Sequence, residues 1–203
     1  DKWIEYFDLY KTIPEFKEQN FNMTLNEFKI IFWWEWAHRQ LGRLIGLTVL
    51  LPMIYFTIKN GFWILREYSI IFFLVCFQGF IGWYMVSSGL IDRIDVSHYR
   101  LSLHLVTAFI ILSIVFWKYL NLTDIKINHI NIQLNPIKFF LLLLFLQLII
   151  GAFVSGMDAG KIYNTWPLMG SSYFPDDSII TDFFNLGVFD DQSLVQFIHR
   201  NLA

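Results

Sequence analysis

The chain has 203 residues, 56% of them hydrophobic and only 16% charged, with a mean hydropathy of +0.48. Soluble domains carry about 25% charged and 45–50% apolar residues, so a single water-soluble core is excluded, and a net charge of −2 offers nucleic acid no basic surface. The lone cysteine, Cys76, has no intrachain disulfide partner and no CxxC neighbour; inside an apolar block it reads as a small buried apolar side chain.

The apolar residues fall in long blocks, which predicts membrane spans. Residues 1–29 mix aromatics, charges and Pro14 and form an outer polar segment. Within it Thr24 and Glu27 are spaced as a capping box that opens a helix. Spans are expected at about 30–58, 68–90 and 99–120, together a unit of three transmembrane helices over 30–120. An inner, Asn-rich loop follows at 121–136. Residues 137–203 then hold a fourth span to about Met157, a long outer loop with Pro167, Pro175 and six Asp, and a fifth helix starting near Ser193. Each complete span has about the 17–25 residues that cross a bilayer, the first being longer.

Lys59, Arg66, Lys118, Lys126 and Lys138 mark one side; Arg93, Arg100 and Lys161 occupy the connections on the other. The positive-inside rule places the first set in the cytoplasm or matrix. The chain begins at Asp1 and ends in a new helix, and is read as a fragment.

An internal repeat is visible. The second span carries Gln78, Ile81 and Gly82, then Val86-Ser87; the fourth carries Gln147, Ile150 and Gly151, then Val154-Ser155. Glu27-Phe28 precedes His38-Arg39 in the first span, and Gln196-Phe197 precedes His199-Arg200 in the fifth. Two related helical halves are expected, a common plan among membrane proteins.

His38, His104 and His199 are eight, five and six residues inside their spans, or about 12, 8 and 9 Å at 1.5 Å per residue. Odd-numbered spans run the same way, so the three imidazoles share one level in one leaflet. A histidine within a span is costly without a partner and is a functional-site candidate by default. Haem iron takes axial imidazoles, and two at equal depth can clamp a porphyrin. Packing across helices is the bland alternative. Gly42 and Gly46, one and two turns below His38, suit either a flat macrocycle or close helix packing. Glu35 shares a face with His38. It reads either as an ion-pair partner of Arg39 or as a carboxylate beside a haem edge, with Arg39 and Arg43 on propionates. His98 and His129 read as solvated. Asn164 and Trp166 lie in a turn signal, Asn164-Thr165-Trp166-Pro167, that could cap a pocket on the outer side.

These motifs carry a family resemblance. The run from Glu27 through Trp33-Trp34-Glu35-Trp36-Ala37-His38-Arg39 to Gly42-Arg43 resembles the haem A synthase family. So do Tyr99-Arg100-Leu101 with His104-Leu105, Tyr163 through Met169, Gln196-Phe197 with His199-Arg200, and Trp3 with Pro14-Glu15-Phe16. The resemblance implies an all-α, polytopic bundle of eight helices in two pseudo-repeated four-helix halves, most of the first and the start of the second being present. It implies that His38 and His104 bind the substrate haem O, and that His199 binds a haem b cofactor with a partner beyond Ala203. Glu35 matches the family's important carboxylate. Arg39, Arg43, Arg100, Arg200, Asn164 and Trp166 become propionate or pocket candidates. The implied reaction oxidises a methyl group of haem O to a formyl group, giving haem A for cytochrome oxidase. Haem O synthase, an electron donor and a second copy of the chain are the implied partners besides the lipid bilayer. The lack of an outer-loop cysteine pair matches the cysteine-poor type of proteobacteria and mitochondria, hence a bacterial cytoplasmic or mitochondrial inner membrane. The alternative is a bis-histidine b-type cytochrome that only passes electrons.

Overall fold

The computed structural model describes residues 2–89, 94–123 and 134–203, and every described regular element is helical. Arg93, Lys126 and His129, and most of the expected inner loop, lie outside the described residues. Two short helices, α1 (Lys2–Tyr10) and α2 (Pro14–Glu18), precede α3 (Leu25–Asn60), α4 (Trp63–Gly89), α5 (His98–Leu122), α6 (Leu134–Gly156) and α7 (Gln192–Leu202). Four of these, α3 to α6, contain stretches long and apolar enough to cross a membrane. Only 6% to 17% of those stretches is buried within the chain. Their side chains therefore face outward, an arrangement that water would penalise and lipid does not. Cys76 is on this outer surface. The expectation of burial failed there because an apolar block signals lipid as readily as a core.

The chain divides into two compact units, Asp1–Asp95 with Ile110–Lys118, and Val96–Phe109 with Tyr119–Ala203. In the first, α3 opens with the expected capping box: the Thr24 hydroxyl accepts from the Glu27 N–H, and the Glu27 carboxylate accepts from the Thr24 N–H at 2.8 Å. The helix runs on through Pro52 and ends at Gly61, whose φ of +99° is open to glycine. Helix α1 packs on the start of α3 through aromatic rings, Phe7 lying 5.2 Å from Phe28 and Trp3 5.1 Å from Phe32. Asn20 and Glu15 both bond the Tyr10 hydroxyl, closing α1 onto α2.

In the second unit, α6 and α7 pack through Ile150, Phe153 and Val195, with Ile149, Val154, Met157, Ile198 and Leu202 around them. The start of α5 lies against the end of α6. A Cβ on Gly156 would stand 3.0 Å from the His98 Cα, so a side chain there would push the start of α5 away by a few tenths of an ångström. The connection 157–191 is a folded loop with 3-10 turns at Ala159–Lys161, Asp182–Phe184 and Leu186–Asp190. The Asp191 carboxylate caps α7 by accepting from the Leu194 N–H at 2.9 Å.

Candidate haem-binding site

His38 lies on an exposed face of α3 in the first unit. One turn earlier Glu35 pairs with Arg39 at 2.9 Å, each side chain about half exposed (49% and 52%). The ion pair, one of the two readings of these residues, is formed. Continuing down the helix, Cβ atoms added at Gly42 or Gly46 would meet nothing within 4 Å. The helix is thus free of side chains and open beside both glycines below His38, with Arg43 exposed next to them.

His104 is half-buried on α5 in the second unit, two residues after the buried Ser102, whose hydroxyl reaches the Ile149 carbonyl on α6 at 3.5 Å. Arg100 is half-buried one turn before it. His98 departs from the solvated reading. Its side chain is 15% exposed, with Nε2 3.3 Å from the Asp190 carboxylate and the ring edge-on to Phe153 at 5.1 Å. Asp190 also takes a hydrogen bond from Tyr99. One carboxylate from the loop thus ties down the first turn of α5. In the sequence Asp190 is 92 residues away and signals nothing.

His199 is the most completely defined of the three. It is half-buried between α7 and α6. The Gln147 amide nitrogen lies 3.0 Å from His199 Nε2 and donates to the His199 carbonyl at 3.2 Å. Gly151, one turn further along α6, completes the cradle: a Cβ there would stand 3.3 Å from Nε2. The Gln147 Oε1 atom is buried with no hydrogen-bond partner. A glycine packed beside an imidazole nitrogen, where a Cβ would crowd the ring, and an unmatched buried acceptor fit a site shaped for a flat ligand.

The adjacent side chains of α7 hold the loop. Gln196, buried, bonds both backbone groups of Tyr163: its Oε1 accepts from the N–H at 3.2 Å and its Nε2 donates to the carbonyl at 2.8 Å. Arg200 donates to the carbonyls of Thr165, at 2.8 Å, and Tyr163. The Asn164–Trp166 turn is therefore fixed directly over the His199 helix, with Trp166 70% exposed and Asn164 bonded to the Lys161 carbonyl. Glu35, His38 and Arg39 share the spacing of Gln196, His199 and Arg200, so each histidine follows a polar side chain by three residues and precedes an arginine.

Two aspartates complete the loop. Asp177 accepts from Tyr163 Oη at 2.8 Å and Ser193 Oγ at 2.7 Å. Burial pushes its carboxyl up, but these hydroxyls outweigh burial and hold it below the usual range. Asp176 is lowered chiefly by the Ser171 N–H, with the hydroxyls of Ser171 and Ser172 adding to it. Gly170, at φ +91°, brings the backbone against this carboxylate, where no Cβ would fit. Both aspartates have depressed folded-state values, so the stability they add is complete above the unfolded carboxylate value of about 3.9. It is lost as pH falls through the lower folded values. The loop amides are thus expected to keep constant hydrogen-exchange protection between about pH 5 and 8 and to lose it only below about pH 4.

The four spans define a multi-pass helical membrane protein. The model of the COX15-CtaA family, described as cytochrome oxidase assembly protein, matches residues 1–203, and the chain belongs to that family. It is 49% identical to the haem A synthase of Pelagibacter ubique (strain HTCC1062), aligning 100% of this chain with 61% of that protein. It is 46% identical to the haem A synthase of Maricaulis maris (strain MCS10), over 98% of this chain and 59% of that protein. Against the haem A synthase of Flavobacterium psychrophilum the identity is 43%, covering 100% and 62%. The chain thus spans about three-fifths of the length of the curated relatives it matches. No solved structure matches it.

Proposed function

We propose that the full-length protein is a haem A synthase that oxidises a methyl group of haem O to a formyl group, in a bacterial cytoplasmic or mitochondrial inner membrane. The observation that carries this reading is the His199 cradle of Gln147 and Gly151, in a chain whose haem A synthase relatives align along its whole length. His199 holds a haem b cofactor, which supplies reversible one-electron chemistry when bound. A second imidazole comes from the part of the protein outside this sequence. His38 and His104 hold haem O as substrate. Glu35 stands beside that site and handles protons or balances positive charge. Arg39 orients Glu35 through their ion pair. Arg43 and Arg100 receive propionates. Arg200 and Gln196 secure the Asn164–Trp166 turn as a cap. The two histidine helices and their glutamine-bearing neighbours, α3 with α4 and α7 with α6, belong to related halves. Haem O synthase as the source of substrate, an electron donor and a second copy of the chain are the partners of this reading.

The test is to express the full-length protein in cells that make haem O but no haem A, and to separate the extracted haems chromatographically. Haem A is expected. Haem O alone, with a b-type spectrum intact, would leave a cytochrome that only passes electrons.

A further inference from the structure

We propose that Gln147 is a positioning residue that presents Nε2 of His199 for iron ligation; this rests on the reading of His199 as a haem ligand. The argument starts from the orientation of the amide. Its nitrogen faces the His199 carbonyl at 3.2 Å, and a flipped amide would set two oxygens against each other there. The same nitrogen lies 3.0 Å from His199 Nε2. An amide nitrogen only donates, so Nε2 accepts, and the ring proton is on Nδ1. That tautomer leaves a lone pair on Nε2, the form an iron ligand needs.

Gln147 thus holds the imidazole in the ligating tautomer, its N–H engaging the Nε2 lone pair beside Gly151. When His199 gives that lone pair to iron, the amide releases Nε2 and keeps the His199 carbonyl. The buried Oε1 atom, which has no hydrogen-bond partner, then turns with it. Helix α7 does not depend on this bond, because the His199 carbonyl also accepts from the Ala203 N–H at 3.3 Å.

Two near-isosteric variants of the full-length protein separate this role from plain packing. Gln147→Glu replaces the donor with an acceptor and draws the ring proton to Nε2. Haem b affinity is expected to fall at least about tenfold, the factor a charge-assisted hydrogen bond on that nitrogen imposes. Gln147→Leu removes both the ordering bond and the bond that iron must displace. Its affinity is expected to fall about two- to fivefold, the lost ordering bond outweighing the bond that iron no longer has to displace. In the haem-free parent, NMR of isotope-labelled histidine rings should show His199 protonated on Nδ1, and in Gln147→Glu on Nε2. A parent protonated on Nε2, or equal losses of haem in both variants, would overturn the role. His199→Ala is the separate arm: if the low-spin haem b signal survives it, the ligand assignment fails whatever the tautomer.

Discussion

Replacing Glu35 with Gln in the full-length protein is expected to lower haem A formation at least about a hundredfold, the lower end of what a positioned acid–base group contributes. Haem O should still bind. The structure separates the two effects. Glu35 and Arg39 are one turn apart, and each is about half exposed. Such i,i+4 pairs contribute about 0.3–0.5 kcal/mol, too little for their loss to unfold a 36-residue helix. Glutamine keeps the shape and still accepts from the guanidinium. A large loss of product would therefore reflect chemistry. The readout is the ratio of haem A to haem O extracted from membranes, and a parental ratio in Glu35→Gln would remove the carboxylate from the mechanism.

Replacing Gly151 with Leu is expected to remove haem b from the protein while the helices still form. A Cβ alone would stand 3.3 Å from His199 Nε2 and 3.7 Å from Cδ2, a contact that alanine accommodates with a shift of a few tenths of an ångström. Leucine adds three more carbons in the direction of the imidazole. Overpacking of this kind costs about 1–3 kcal/mol, and here the strain falls on one ring. Haem b per protein, measured as the pyridine haemochrome, should drop severalfold or more in Gly151→Leu and little in Gly151→Ala. Full haem content in the leucine variant would show that this face of His199 is not where the ligand lies.

The spans were legible because a bilayer demands a long apolar run whatever the fold, and α3 to α6 supply one each. The start of α3 was legible because a capping box is local: Thr24 and Glu27 need only each other. What the sequence did not reveal depends on partners far along the chain. Asp190 engages His98 and Tyr99 across about ninety positions, and nothing near His98 announces it. Gln196 stands out in the sequence as part of a repeated motif, but its bidentate hold on Tyr163 becomes visible only when the loop folds back. Arg200, a propionate candidate from the sequence, directs donors to backbone carbonyls of that loop. The repeated Gln and Gly of the second and fourth spans were visible as a pattern, and in the fourth their physical use is now explicit, as the cradle of His199.

His38 and His104 are proposed as the two ligands of the substrate haem, and the most direct measurement is the spin state of haem O bound to purified full-length protein. The parent should give a six-coordinate low-spin spectrum. Replacing His38 or His104 singly with alanine should each convert that haem to high spin and leave the second haem untouched. A substrate haem that stays low-spin in both variants would contradict the account.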